Sequence, residues 1–190
     1  GFGIGTIEKK MGFKASPTTE MIFSDCFIPE KNMLGEEGKG FYVAMSTLDG
    51  GRISAGALAL GISQAAFDIA LQYSKQREQF GKPISAFQAI KFHLADMSIM
   101  IENARLQVYR AAWLKDQGRP YTLQSAQAKV YASEISSQVT HKAIQILGGY
   151  GYMREYHVER MYRDARVTEL FEGTSEIQRL VIARQLLKEK

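Results

Sequence analysis

The segment Ala86–Gln117 spaces its apolar side chains alternately four and three residues apart. The apolar positions are Ile90, Leu94, Met97, Ile101, Ala104, Val108 and Ala111. On a helix this spacing places one continuous apolar stripe along a single face, which is the seam by which antiparallel helices pack in a bundle. Gly118 and Pro120 follow and predict the end of the helix. A chain that contains this segment must bury the stripe against other helices.

The rest of the chain beyond residue 40 is also predicted to be mainly helical. Short connections rich in glycine or proline separate its periodic segments. The predicted order is a helix Phe41–Gln76, a break Arg77–Ser85, the helix Ala86–Gln117, a helix from an N-cap at Thr122 to Leu147, a terminator Gly148–Gly149, a loop and shorter helix over Tyr150–Thr168, and a helix Ser175–Lys188. Four long helices with short connections predict a four-helix bundle.

Residues 1–40 differ in character from the helical part. They are rich in glycine and carry short apolar runs at Glu20–Phe23 and Phe27–Ile28, which Pro29 ends. Two or three short strands do not form a stable domain alone. We therefore expect residues 1–40 to be the end of a larger β domain with its linker, and residues 41–190 to be the α-helical domain. The fold class is all-α with a short β tail.

Composition excludes several classes of function. The 45% hydrophobic content suffices for a sizeable core, and no apolar run approaches the roughly 18 residues of a membrane helix. The net charge of +4 is spread along the chain among 20 acidic residues, so nucleic-acid binding is not expected. Cys26, the one cysteine, excludes an internal disulfide and is expected to be buried. No H-E-x-x-H or C-x-x-C motif exists, so no metal site is predicted.

One carboxylate stands out as a candidate for chemistry. Glu172 follows the bulky pair Leu170–Phe171 and precedes Gly173, which allows a ligand to approach closely. A carboxylate in an apolar setting is a candidate general base. On spacing alone a solvated loop glutamate before an ordinary capped helix fits as well.

The helix after Glu172 is predicted to be capped and half-buried. Thr174 and Ser175 supply the N-cap, and Gln178, three residues after Ser175, completes a capping box. The expected buried stripe consists of Ile177, Leu180, Val181 and Leu187.

Seven segments, in one order along the chain, carry a family resemblance. They are K-M-G-F-K-A-S at Lys10–Ser16, I-F-S-D-C-F-I-P at Ile22–Pro29, T-L-D-G-G-R at Thr47–Arg52, R-E-Q-F-G-K-P-I at Arg77–Ile84, Q-I-L-G-G at Gln145–Gly149, R-D-A-R at Arg163–Arg166, and F-E-G-T-S-E-I-Q-R-L-V-I-A-R at Phe171–Arg184. Together they resemble the acyl-CoA dehydrogenases, flavoenzymes that oxidise fatty acyl thioesters. The amino-acid sequence of these segments is most similar to that of the short-chain (butyryl) members.

The resemblance implies a role for Glu172. In the family this glutamate removes a proton from Cα of the acyl thioester while Cβ gives a hydride to flavin, and a backbone amide near the base and a flavin hydroxyl polarise the thioester carbonyl. Some members instead place the base in the L-D-x-x-R helix, at the position that Gly51 occupies here. If both positions of the base face one pocket, Gly51 must lie near Glu172 although 121 positions separate them in sequence.

The resemblance also assigns binding residues. Asp49, Gly50, Gly51, Arg52 and Gly173 match the acyl-CoA site, and the expected FAD contacts are Arg77, Phe80, Gln88, Gln145, Ile146, Leu147, Gly148, Gly149, Thr174, Ser175 and Glu176. Without the resemblance, Asp49 and Arg52 would be a surface pair, Arg77 a solvated cation and Gln145–Gly149 a plain helix end. In the family several of these contacts reach a neighbouring subunit's flavin, which implies a homo-oligomer, a dimer of dimers.

The family pattern also shows what this sequence lacks. Family chains are about twice as long and carry an N-terminal helical domain and a complete middle β domain, so we expect this chain to be an N-terminally truncated piece that is inactive alone. The resemblance implies acyl-CoA as substrate and electron-transfer flavoprotein as electron acceptor. It implies a cytoplasmic enzyme in a bacterium and a mitochondrial matrix enzyme in a eukaryote. The alternatives are an acyl-CoA oxidase and a non-catalytic helical binding module.

Overall fold

Three long helices carry the fold in the computed structural model, which describes residues 1–187. The elements in chain order are the strands β1 (Phe2–Ile7) and β2 (Thr19–Phe23), the helix α1 (Gly40–Gln76), the strands β3 (Glu78–Gln79) and β4 (Lys82–Pro83), and the helices α2 (Gln88–Asp116), α3 (Thr122–Leu147), α4 (Val158–Val167) and α5 (Ser175–Leu186). β1 pairs antiparallel with β2, and β3 pairs antiparallel with β4. The predicted all-α class with a short β tail is confirmed.

The core lies where α1, α2 and α3 meet, and α3 is central because it packs against each of the other four helices. The apolar stripe predicted for α2 is confirmed: Met97, Ala104 and Val108 are buried. Small residues let the helices approach closely. A Cβ added at Gly56 would lie 3.2 Å from a methyl group of Val108. The helix cost of this interior glycine is therefore offset by close packing.

The last helix differs from the prediction. It is short, and its apolar residues Ile177, Leu180 and Leu187 are 47%, 64% and 78% exposed. The residues it buries are the polar Ser175 and Gln178. Periodicity identified an apolar face, but that face does not turn toward α3. The predicted end of this helix at residue 188 lies outside the described residues.

One predicted helix end needs correction. The hydroxyl of Thr122 does not cap α3, because it donates a hydrogen bond of 2.8 Å to Asp49 of α1, and Tyr121 occupies the N-cap position. The predicted break after α1 contains the small β3–β4 hairpin, in which Phe80 and Gly81 have φ of +54° and +75°. The end of α3 at Gly148 is as predicted, with φ of +61°.

The N-terminal tail was predicted only in part. β2 matches the predicted run, but β1 was missed because glycine occupies every second position, and Phe27–Ile28 forms no strand. Cys26 is only half-buried rather than buried. Gly12 packs so closely against α4 that an added Cβ would lie 2.5 Å from the carbonyl oxygen of Arg163. The tail is thereby tied to the helical part.

Helix α1 is long and apolar enough, by length and composition alone, to cross a membrane. Core helices share this property, and α1 buries Ala59, Ala66 and Ala70 in the bundle. We therefore describe α1 as a core helix.

Candidate active site

Glu172 lies in a strained turn between α4 and α5. Its φ is +54° and that of Gly173 is +89°, so two consecutive residues adopt the left-handed region. For a residue with a side chain this conformation costs about 1–2 kcal/mol. Such strain persists only where surrounding contacts hold it, and it is concentrated at functional sites. The side chain of Glu172 is half-buried.

Two fully buried side chains hold this turn by its carbonyl groups. The amide of Gln178 donates to the carbonyl oxygens of Glu172 and Gly173, at 3.0 and 3.2 Å. The ammonium of Lys129 on α3 donates to the Gly173 carbonyl at 2.7 Å. A Cβ added at Gly173 would collide with the amide nitrogen of Gln178. The predicted capping box is therefore wrong: Thr174 alone caps α5, by accepting from Ile177, and Gln178 serves the turn.

Lys129 is buried, and none of the described residues supplies an ionised partner in contact with it. Its side chain is completely enclosed, and burial lowers its pKa to about 8. The carboxylates of Glu169, Glu134 and Glu176 act in the opposite direction, and the Arg52 guanidinium adds to the lowering. An enclosed lysine is uncommon because desolvation disfavours its charged form.

Gly51 of α1 faces the carboxylate of Glu172. A Cβ added at Gly51 would lie 3.1 Å from Cδ of Glu172 and would collide with its Oε2. The predicted proximity of these two residues is confirmed. A side chain at position 51 would therefore displace the Glu172 carboxylate from this position.

The residues next to Gly51 form a buried polar cluster. Arg52 is 5% exposed and its guanidinium forms an ion pair with Asp49, whose other oxygen accepts from Thr122. The Nε of Arg52 is buried and has no acceptor among residues 1–187. The alternative interpretation of Asp49 and Arg52 as a surface pair is therefore wrong.

The β tail contributes to the same region. The backbone N–H of Phe13 donates to Asp164 of α4 at 2.6 Å. This bond places the Phe13 ring 6.4 Å from that of Phe171, edge to face. The residue before Glu172 is thus enclosed by an aromatic contact from the tail.

A second group of predicted binding residues lies at the far end of the bundle. Arg77 lines a cavity of about 540 Å³ together with Ile146, Leu147, Gly148 and Gly149. The Arg77 guanidinium lies 5.6 Å from the ring centre of Tyr150, which also lines the cavity. The structure thus brings Arg77 and the glycine turn together.

Six predicted contacts stand apart from this cavity. Phe80 is 91% exposed at the tip of the β3–β4 hairpin, and Gln88 is exposed at the first turn of α2. Gln145 lines a separate cavity of about 460 Å³ with His93 and His141. Thr174, Ser175 and Glu176 lie at the N-terminus of α5, next to Glu172 and far along the chain from Arg77.

The two groups of residues occupy opposite ends of the molecule. Gly51 lies on α1, and Arg77, the residue that follows the end of α1, is 26 positions further along the chain. At the helical rise of 1.5 Å per residue, their backbones are separated by about 39 Å. One group surrounds Glu172 and Gly51, and the other surrounds Arg77 and Gly148.

Sequence reasoning missed the contribution of Lys129. A lysine in a helix is normally read as solvated. The available signal was its position, because Ser125, Ala132 and Ser136 share its face of α3 at helical spacing and are buried. Gln178 was predicted to complete a capping box, whereas its amide binds the carbonyl oxygens of Glu172 and Gly173.

The chain is similar to proteins of one family. The family model described as acyl-CoA dehydrogenase, C-terminal domain, matches residues 38–187. The short-chain specific acyl-CoA dehydrogenase of Clostridium acetobutylicum is 52% identical, over 99% of this chain and 50% of that protein. The acryloyl-CoA reductase (NADH) of Anaerotignum propionicum is 53% identical, over 99% of this chain and 48% of that protein. The chain therefore spans about half the length of the curated relatives it matches.

Solved structures extend this similarity to three dimensions. Butyryl-CoA dehydrogenase of Megasphaera elsdenii is 54% identical with a TM-score of 0.98, over 99% of this chain and 49% of that one. A chain in a structure of the electron transferring flavoprotein of Acidaminococcus fermentans is 52% identical with a TM-score of 0.98, over 100% and 50%. PigA with FAD and proline is 33% identical with a TM-score of 0.92, over 98% and 49%. These matches include both the hairpin and the helices.

Proposed function

Because the chain belongs to the acyl-CoA dehydrogenase family, we propose that it is the base-bearing helical part of an FAD-dependent enzyme that oxidises a short-chain acyl-CoA to the trans-2-enoyl-CoA. The observation that carries this proposal is the meeting of Glu172 with Gly51, which are distant in sequence. These are the two positions at which the resemblance places the catalytic base. The small residue at one of them leaves space for the carboxylate at the other.

Glu172 acts as the general base. Its carboxylate takes the proton from Cα of the acyl thioester, and the electrons of that C–H bond form the double bond to Cβ. FAD, when bound, supplies the acceptor for the hydride that leaves Cβ. The left-handed turn at Glu172 and Gly173 supports this role, since its strain is maintained by buried donors rather than relieved.

The thioester carbonyl requires a hydrogen-bond donor as negative charge develops on it. The backbone N–H of Glu172 donates to no acceptor among residues 1–187 and lies on the residue that carries the base. We assign it the role of polarising the thioester. Asp49, Gly50, Gly51, Arg52 and Gly173 line the acyl-CoA site beside it.

The residues present fit FAD at both ends of the bundle. At the N-terminus of α5, where backbone N–H groups favour an anion, the hydroxyl of Ser175 is buried and has no partner among the described residues. At the other end, Arg77 and the turn at Gly148–Gly149 share one cavity. A guanidinium pairs with phosphate oxygens, and glycines let the backbone approach a ligand.

The separation of the two ends supports a homo-oligomer. The roughly 39 Å between Gly51 and Arg77, by the helical rise, exceeds the reach of one flavin nucleotide, so Arg77 serves the flavin of a neighbouring subunit. The exposed Phe80, Leu180 and Leu187 supply apolar surface for further contacts. We propose a dimer of dimers with electron-transfer flavoprotein as the electron acceptor. Similarity to a chain in the Acidaminococcus fermentans structure supports that partner.

The test uses full-length protein, an acyl-CoA chain-length series and an artificial dye as electron acceptor. Glu172→Gln is expected to lower turnover by about 10²–10⁴, the contribution of one general base, and to keep its flavin. The control is Glu155→Gln, which alters an exposed carboxylate outside the site. Turnover of Glu172→Gln within threefold of wild type would refute the base assignment.

The same assay separates the related activities. An acyl-CoA oxidase would consume oxygen without the dye, and a reductase like the Anaerotignum propionicum relative would oxidise NADH with acryloyl-CoA. A non-catalytic binding module would show neither reaction nor any effect of Glu172→Gln.

A further inference from the structure

Lys129 is the buried charged group that the proposed chemistry does not use. It lies on α3 and its side chain is completely enclosed, yet no carboxylate of residues 1–187 forms an ion pair with it. Within the described part of the chain, the ammonium forms one hydrogen bond, from Nζ to the carbonyl oxygen of Gly173, at 2.7 Å.

Stability does not explain a lysine at this position. A buried cation without an ion-pair partner loses its hydration, and an apolar side chain of similar volume is usually neutral or stabilising in such a place. Three acids, Glu169, Glu134 and Glu176, attract the ammonium from a distance, and Arg52 repels it. Burial outweighs these attractions, because the pKa of Lys129 is lowered to about 8. The buried lysine therefore lowers the stability of the fold, and a role other than stability must explain its presence.

The geometry of the turn points to that role. Gln178 holds the carbonyls of both Glu172 and Gly173, so its two bonds fix the turn relative to α5. Lys129 holds the Gly173 carbonyl from α3, which is a second and independent element. With both donors in place, the Gly173–Thr174 peptide group, one residue after Glu172, is fixed relative to the bundle and not only relative to its own helix.

We propose that Lys129 is a positioning residue for the base, which fixes the Glu172–Gly173 turn relative to the bundle through the Gly173 carbonyl and so keeps the Glu172 carboxylate at its place opposite Gly51. This inference rests on the proposed function of Glu172. Without the Lys129 bond, the turn retains Gln178 and remains folded. Its left-handed strain can then partly relax, which displaces the carboxylate from the Cα–H bond it must attack.

The experiment replaces Lys129 with methionine in full-length flavin-containing protein. Lys129→Met keeps an unbranched side chain, one atom shorter, and removes the ammonium. We expect kcat to fall about 10- to 100-fold, since a misplacement of about 1 Å can cost 10²-fold. The KM for butyryl-CoA should stay within threefold, the flavin content should be unchanged, and the melting temperature should be equal or higher. Lys129→Arg, which keeps a cationic donor, should recover part of kcat.

Two further variants make the result decisive. Lys91→Met removes an exposed lysine of α2 and should leave kcat unchanged. Glu172→Gln, measured in parallel, tests the proposed function separately: if it remains active, the base assignment fails whatever Lys129 does. If Glu172→Gln is inactive but Lys129→Met is as fast as wild type, the positioning inference alone fails. A Lys129→Met protein that does not fold, melts lower or loses flavin would also overturn it, because the lysine would then be structural.

Discussion

Removing the charge of Lys129 should change how stability depends on pH. Burial lowers its folded-state pKa to about 8 from the ordinary 10.5. Below pH 8 both the folded and the unfolded chain carry the ammonium, and the folded state bears its full desolvation cost. Between pH 8 and 10.5 only the unfolded chain remains protonated, so stability rises with pH across this window. Above pH 10.5 both states are neutral and the cost has disappeared.

The magnitude follows from the difference between the two pKa values. Each unit is worth 1.36 kcal/mol, so the window corresponds to about 3 kcal/mol. Lys129→Met lacks the titrating group and should not show this gain. The variant's advantage over wild type should therefore shrink by about 3 kcal/mol between pH 7 and pH 10.5.

Urea unfolding of the 190-residue chain, followed by circular dichroism, measures this difference. Wild type, Lys129→Met and the control Lys91→Met are compared at intervals from pH 7 to pH 10.5. The control should track wild type, because Lys91 is exposed. A difference between wild type and Lys129→Met that does not change with pH would refute the argument, since Lys129 would then be solvated in the folded chain.

Three further predictions concern the site and its assembly. Glu172→Gly should abolish activity, and adding Gly51→Glu should restore a measurable part of it, incompletely because a misplacement of about 1 Å can cost 10²-fold; a double variant that binds FAD and acyl-CoA but is no faster than Glu172→Gly would contradict the shared pocket. Arg77→Ala removes a charge-assisted contact worth about 1.5–3 kcal/mol, so the full-length variant should lose FAD on gel filtration more readily than wild type, whereas equal retention at low protein concentration would favour a solvated cation. The 190-residue chain alone should be helical by circular dichroism, colourless and inactive, and a yellow preparation that reduces a dye with butyryl-CoA would contradict this expectation.

Local pattern predicted the elements whose partners lie within the chain. The apolar stripe on α2 was predicted correctly because an alternate spacing of four and three residues places apolar side chains on one helix face, which packs against other helices. The same reasoning failed for α5, whose apolar Ile177 and Leu180 are exposed while Gln178 is buried. Periodicity shows that a helix has an apolar face, but it does not show which surface covers that face.

Contacts between distant residues were beyond local pattern. Thr122 was expected to cap α3, but its hydroxyl donates to Asp49, which is 73 positions away. The proximity of Gly51 to Glu172 was predicted only because the family resemblance places a base at either position. Lys129 was missed because a lysine is usually solvated, and its role depends on a carbonyl 44 positions further along the chain.

The reduction of bound flavin measures the central claim most directly. Full-length wild type and Glu172→Gln are mixed anaerobically with butyryl-CoA in a stopped-flow instrument, and the loss of flavin absorbance in the first turnover is recorded. Wild-type flavin should be bleached rapidly, and Glu172→Gln, with the same flavin content and bound acyl-CoA, should be slower by about 10² or more, as expected for the loss of a general base. Bleaching of Glu172→Gln at a rate close to that of wild type would show that another group removes the proton.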